Sequence, residues 1–196
     1  MINEIKANMN LPRLILASGS PRRAEILNSI GWDFEVQPAD IDESIFEGES
    51  AEAYVTRLAL EKARTIAERN NGKLVLGADT TVVIDKEIIG KPVDFDDARS
   101  MLRELSGRTH IVLTGVALVK NQSYVSAVQS TFVKFAELND AEIEYLVDFG
   151  SPLDKAGAYA VQTQAALFIE EIRGEYLNVV GLPVSLVYQL AKKFVK

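Results

Sequence analysis

The spacing of apolar positions changes period several times along this chain, and each change predicts an element. Leu14-Ile15-Leu16-Ala17 is a short continuous apolar run, as a buried strand requires. Ser18-Gly19-Ser20 then forms a tight turn, and Pro21 suits the first position of a helix that Ser20 caps and Gly31 stops. Trp32, Phe34 and Val36 alternate with polar residues, which predicts a half-buried strand ending at Pro38. A long helix follows Ser50, with Val55, Leu58, Ala59, Ala63 and Ile66 at three-and-four spacing on its inner face. Arg57, Glu61, Arg64 and Glu68 read as charge pairs on its outer face.

Leu74 to Ile84 is an apolar strand broken once, by Asp79, and Asp85-Lys86-Glu87 reads as a hairpin leading to Ile88-Ile89. Asp94 caps a helix carrying Ala98, Met101, Leu102 and Leu105, which Ser106-Gly107 ends. Residues 110–119 and 124–135 are expected to pair as strands. Asn139 and Glu142 form a capping box for a helix with Ile143, Leu146 and Val147, and Gly150 closes it. Pro183 opens a last helix marked by Val187, Leu190 and Phe194. Residues 1–12 read as a polar extension. No repeat or linker divides the remainder, so 13–196 is expected to form one domain.

Composition narrows the chemistry. With 196 residues, 47% of them hydrophobic, the chain can bury a core as one domain or two joined lobes. It shows no apolar run of membrane-spanning length and no signal-peptide pattern, so a cytoplasmic protein without membrane partners is expected. The absence of cysteine excludes a thiolate nucleophile and a zinc-thiolate site. A single histidine, His110, provides no His cluster and reads as a capping or hydrogen-bonded residue. Any catalytic metal would rest on carboxylates, which favours magnesium or manganese. The net charge of −7 argues against a sequence-independent nucleic-acid binder but allows a local basic cluster for a small anion.

Such a cluster is suggested by Arg22 and Arg23, which fall in a first helix turn where the dipole is already positive. Either a phosphate binds there or the pair is simply solvated; Gly-x-x-x-x-Gly-Lys is absent, so this is no P-loop. Asp79 in an apolar strand is either a site residue or a hydrogen-bonded structural one, and Gly77 and Ala78 leave room for a ligand to approach. Lys62 lies on the apolar stripe of its helix, where it snorkels outward or meets an anion. Glu43 sits in an acidic loop with Asp40, Asp42, Glu47 and Glu49, as part of a solvated connector or as a metal ligand. Lys91, confined between Gly90 and Pro92, is a surface turn lysine or is aimed at the site. Gln162, in the small-residue stretch 154–165, can read a nucleobase edge with one amide or serve as an ordinary loop residue.

Taken together, Ser18-Gly19-Ser20-Pro21-Arg22-Arg23, Gly77-Ala78-Asp79-Thr80, Lys91-Pro92, Ser106-Gly107, Thr114-Gly115, Asp154-Lys155-Ala156-Gly157 and Asn178-Val179-Val180-Gly181-Leu182-Pro183 resemble the Maf (septum formation inhibitor) family over nearly the full chain. The resemblance implies an elongated α/β fold of the Maf and ITPase kind, a mixed sheet with flanking helices and two lobes around a central cleft. It implies a nucleoside triphosphate pyrophosphatase that uses a divalent metal, with Asp79 as proton acceptor. Ser18, Ser20, Arg22, Arg23, Lys62 and Lys91 would serve the phosphates, and Glu43 with Asp79 the metal. Arg22, Thr80 and Gln162 match the dTTP/UTP subgroup, whereas the 7-methyl-GTP subgroup typically shows Trp, Gln and Glu there. Thr163 departs from the family's usual glycine. A homodimer is expected from the resemblance alone. The alternatives are 7-methyl-GTP as substrate, or a non-catalytic regulatory protein in cell-division arrest.

Overall fold

The computed structural model describes residues 11–194; the expected extension therefore lies largely outside the described residues. Seven strands form one mixed sheet in the order β2-β1-β3-β5-β6-β7, with β4 paired to the far end of β3. They are β1 (Leu14–Leu16), β2 (Phe34–Val36), β3 (Leu74–Ile84), β4 (Glu87–Ile89), β5 (Thr109–Lys120), β6 (Ser123–Phe135) and β7 (Ile169–Arg173). Only β1 runs parallel to its neighbours, β2 and β3; the other pairs are antiparallel. At about 3.4 Å per residue, β5 and β6 each extend roughly 40 Å, which makes the sheet long.

The helices are α1 (Pro21–Ser29), α2 (Ala51–Ala67), α3 (Phe95–Leu105), α4 (Asp140–Phe149), α5 (Tyr176–Val180) and α6 (Val184–Ala191), with short 3-10 turns between Pro152 and Phe168. Ser50, Asp94 and Asn139 cap α2, α3 and α4 through their side chains, and Asn139 with Glu142 completes the capping box. Asp85 and Lys86 both adopt positive φ, the requirement of a two-residue hairpin whose twist matches its strands. Pro183 precedes α6 as its N-cap rather than occupying the first turn. Val36, on the edge strand β2, is exposed and does not face the core as alternation predicts. Among the described residues, no helix is long and apolar enough to cross a membrane.

Helix α2 covers one face of the sheet, against Ile15, Val75, Ala117 and Val119. The larger core lies on the other face, where α1, α3, α4 and α6 bury Leu27, Leu102, Leu146 and Leu190 against Leu14, Leu76, Val116 and Val133. Gly77 has a different purpose from the one its sequence context suggests. A β-carbon there would lie 2.0 Å from the Ala59 carbonyl oxygen and 2.9 Å from the Ala63 nitrogen. At Gly115, which pairs with Asp79 on the neighbouring β5, a β-carbon would meet the Val55 carbonyl oxygen at 2.2 Å. Both glycines admit the α2 backbone, not a ligand.

Candidate active site

The cleft begins where the sheet is incomplete. Pairing of β1 with β3 ends at Leu16–Leu76, and pairing of β4 with β3 begins at Val82. Between them the β3 edge is open, and Asp79 and Thr80 stand in that gap with side chains on opposite faces, as strand alternation requires. A cleft of about 590 Å³ opens there, and its lining includes Ser18, Ser20, Arg22, Arg23, Glu43, Lys62, Asp79, Thr80, Lys91 and Gln162. Every residue singled out from the sequence as a site candidate thus borders one space.

On the α2 side, Lys62 resolves its two readings by meeting anions. Its Nζ lies 2.6 Å from Asp79 Oδ1 and 2.6 Å from Glu43 Oε1. The close seating of α2 on Gly77 delivers this lysine to Asp79. Glu43 arrives from the acidic loop, which is no solvated connector at this point. Tyr54 Oη donates to the Glu43 carbonyl at 3.0 Å, and Arg57 donates to the Ser44 carbonyl at 2.9 Å while forking onto Glu49 at 2.7 and 2.8 Å. The principal partner of Arg57 is therefore this loop, with Glu61 further off at 3.6 Å. Partial burial pushes the Glu43 carboxyl up, but the Lys62 hydrogen bond and charge outweigh it and hold the group below its ordinary range. Burial, together with the Asp79 and Glu43 charges, pushes the Tyr54 phenol up to about 12.

On the other face, Arg23 is 8% exposed and donates to three uncharged oxygens: Gly181 O at 2.9 Å, Ser18 Oγ at 2.9 Å and Thr80 Oγ1 at 3.1 Å. Burial lowers its pKa, and Asp79 opposes that without reaching ion-pair contact. Thr80 and Thr114 lie 2.9 Å apart, and Thr114 donates onward to Asn178 O at 3.2 Å. The Thr80 hydroxyl also reaches Gly181 O at 3.4 Å, and its oxygen accepts from Arg23. Ser20 occupies the N-cap position of α1 but makes no capping bond with its side chain. Instead, the Ser18 hydroxyl accepts from the Ser20 N–H at 3.3 Å. The first-turn N–H groups beside Arg22 and Arg23 remain available at the cleft.

Arg22 pairs with Asp154 at 3.2 Å, and Asp154 also binds Lys155, whose Nζ donates to Ser151 O at 2.6 Å. Burial raises the Asp154 pKa; the Lys155 hydrogen bond, aided by both cations, reverses this and leaves it lowered. Lys91 and Gln162 are exposed on the cleft rim. The segments carrying them are tied by the Gly157 N–H donating to Gly90 O at 3.0 Å. Thr163 has φ of −119°, a conformation that does not require glycine. His110 is buried, with Nε2 2.7 Å from Tyr159 Oη, which confirms the hydrogen-bonded reading.

Several contributors were not assigned a role from sequence: Tyr54, Thr114, Asp154, Lys155, Asn178 and the Gly181 carbonyl. Tyr54 carried a signal, since Tyr54, Leu58 and Lys62 form one four-residue row along α2. Among the described residues, no three His, Asp or Glu side chains converge as a complete metal cage. Glu43 and Asp79 nonetheless fit magnesium, which is commonly held by one or two carboxylates with substrate phosphates completing its shell. Their bonded oxygens share one ammonium and so lie no further apart than twice 2.6 Å.

The fold is similar to a HAM1 protein from Coxiella burnetii, with a TM-score of 0.54 and 14% identity over 93% of this chain and all of that one. A protein from Anaeromyxobacter dehalogenans named dTTP/UTP pyrophosphatase is 53% identical over 178 residues, covering 89% of this chain and 90% of its own length. Relatives of the same name from Hahella chejuensis and Symbiobacterium thermophilum are 49% and 48% identical, covering 93% and 94% of this chain and 92% and 95% of their own lengths. Residues 13–194 match the family described as Maf-like protein, and the chain belongs to the Maf family.

Proposed function

We propose that this protein is a dTTP/UTP pyrophosphatase that hydrolyses the bond between the α- and β-phosphates, releasing a nucleoside monophosphate and pyrophosphate. The observation that carries the reading is Arg23. A buried guanidinium bonded only to neutral oxygens lacks an anion at contact distance, which a phosphate supplies. In the same cleft, Asp79 and Glu43 provide carboxylates and Lys62 and Lys91 provide cations. Water attacks the α-phosphorus, its proton passes to Asp79, and the electron pair of the breaking P–O bond leaves with pyrophosphate. Arg23 and Lys91 stabilise the charge spread over the phosphate oxygens. Glu43 and Asp79 would hold a divalent ion, which supplies Lewis-acid stabilisation of those oxygens when bound.

The pyrimidine preference is supported by the names of the relatives and by neutral Gln162 on the cleft rim. Its amide offers one donor and one acceptor to a uracil or thymine edge. The test is release of pyrophosphate by the pure protein from a panel of nucleoside triphosphates, with magnesium or manganese. Turnover of dTTP and UTP above the purine nucleotides and 7-methyl-GTP is expected. Absence of dTTP and UTP turnover overturns the reading.

A further inference from the structure

We propose that Lys62 is a resident cation, which a divalent ion displaces from Glu43 and Asp79 and whose ammonium then passes to the substrate's phosphates. The last step rests on the pyrophosphatase reading; the displacement does not. Lys62 takes one oxygen from each carboxylate, at 2.6 Å in both cases, and the side chains of Lys62 and Asp79 are only 9% and 11% exposed. Its seat is built from both sides. Gly77 on β3 and Gly115 on β5 fix the height of α2 above the sheet, and Tyr54 and Arg57 pin the loop that brings Glu43 down onto it.

One cation fills this seat and two do not. A divalent ion within bonding reach of both carboxylates would stand beside the ammonium in a partly dry cleft, where water screens their repulsion poorly. Arg23 and Lys91 already contribute positive potential at Glu43. Lysine suits the exchange because its charge is compact and rides on a flexible four-carbon stem, so it can swing to a new anion without moving α2. Before nucleotide arrives, Lys62 therefore competes with the metal. Once triphosphate oxygens are present the ammonium has another partner, and metal and nucleotide assist each other's binding.

The experiment is calorimetric titration of Mn²⁺ into the full chain without nucleotide, comparing the native protein with Lys62→Met and Lys62→Gln, whose folding is verified by circular dichroism. Removing the competitor from two carboxylates should tighten Mn²⁺ binding by about tenfold or more. Equal or weaker affinity in the folded variants, or no Mn²⁺ binding by them, overturns the proposal. Should both variants fail to fold, nitrogen-15 lysine spectra of the native protein decide. Saturating Mg²⁺ should shift the Lys62 ammonium signal away from its carboxylate-bonded position, and an unmoved signal overturns the displacement. Neither measurement uses turnover, so failure of the dTTP and UTP assay leaves both readable.

Discussion

Asp79 and Arg23 hold charge at similar depth, 7% and 8% exposed, by opposite means. Asp79 has an ammonium at hydrogen-bond distance, whereas Arg23 has only dipoles. On the proposed function, the paired carboxylate would serve the chemistry and the guanidinium, left without an ion-pair partner, would serve the incoming anion. Asp79→Asn should fold, because the amide oxygen still accepts from Lys62 and Glu43 retains its own bond. It should lose at least about a hundredfold in turnover, since an amide cannot take the proton from water. Initial rates with dTTP, beside a thermal melt of each protein, check this; near-native rates would reduce Asp79 to a counter-ion for Lys62. At this scale, the residues legible in the sequence were those that broke a pattern, Asp79 inside an apolar strand and Lys62 on an apolar stripe. Tyr54 broke none, because a tyrosine on a half-buried helix face looks ordinary until its hydroxyl partner is known.

Elements were legible wherever period and capping chemistry agreed. The α2 stripe, the β5–β6 pairing and the capping box of α4 are decided by local spacing, and all three appear in the structure. What local spacing does not encode is how closely one element approaches another. Gly77 in a strand signals a close approach but not whose, and here the neighbour is the α2 backbone. Ser20 has the residue type of a cap, yet its neighbour Ser18 receives both the Ser20 N–H and Arg23. Gly77→Ala is therefore expected to act on stability and site together. Its methyl group would need the space of the Ala59 carbonyl, so α2 must lift, at a cost of about 3 kcal/mol. Lifting α2 carries Lys62 away from Asp79, and activity should fall even at temperatures where the variant remains folded. Urea denaturation with an assay at low temperature separates the effects; loss of stability with unchanged turnover would show that α2 does not set the Lys62 position.

The cleft itself belongs to the whole molecule. It exists because β1 spans three residues and β3 eleven, so β3 outruns its partner before β4 takes up the edge. No window of sequence shows this; it follows from register and strand order. The wall bearing Asp154 and Gln162 is joined to the sheet through Tyr159, which packs edge-on to Phe135 at 5.0 Å and bonds His110 on β5. Burial lowers the His110 pKa from 6.5 to about 4, so the unfolded chain takes up a proton there before the folded one does. Stability contributed by keeping this ring neutral is complete above about pH 6.5 and is lost as pH falls toward 4. A shift of this size corresponds to about 3 kcal/mol across that window. His110→Gln retains a hydrogen-bonding group toward Tyr159 but cannot take up a proton. Denaturant midpoints at pH 7 and pH 4 should fall further in the native protein than in the variant, while carboxylates common to both cancel in the difference. Equal losses would mean that His110 takes up its proton without unfolding the wall, leaving the cleft indifferent to the charge of the residue behind it.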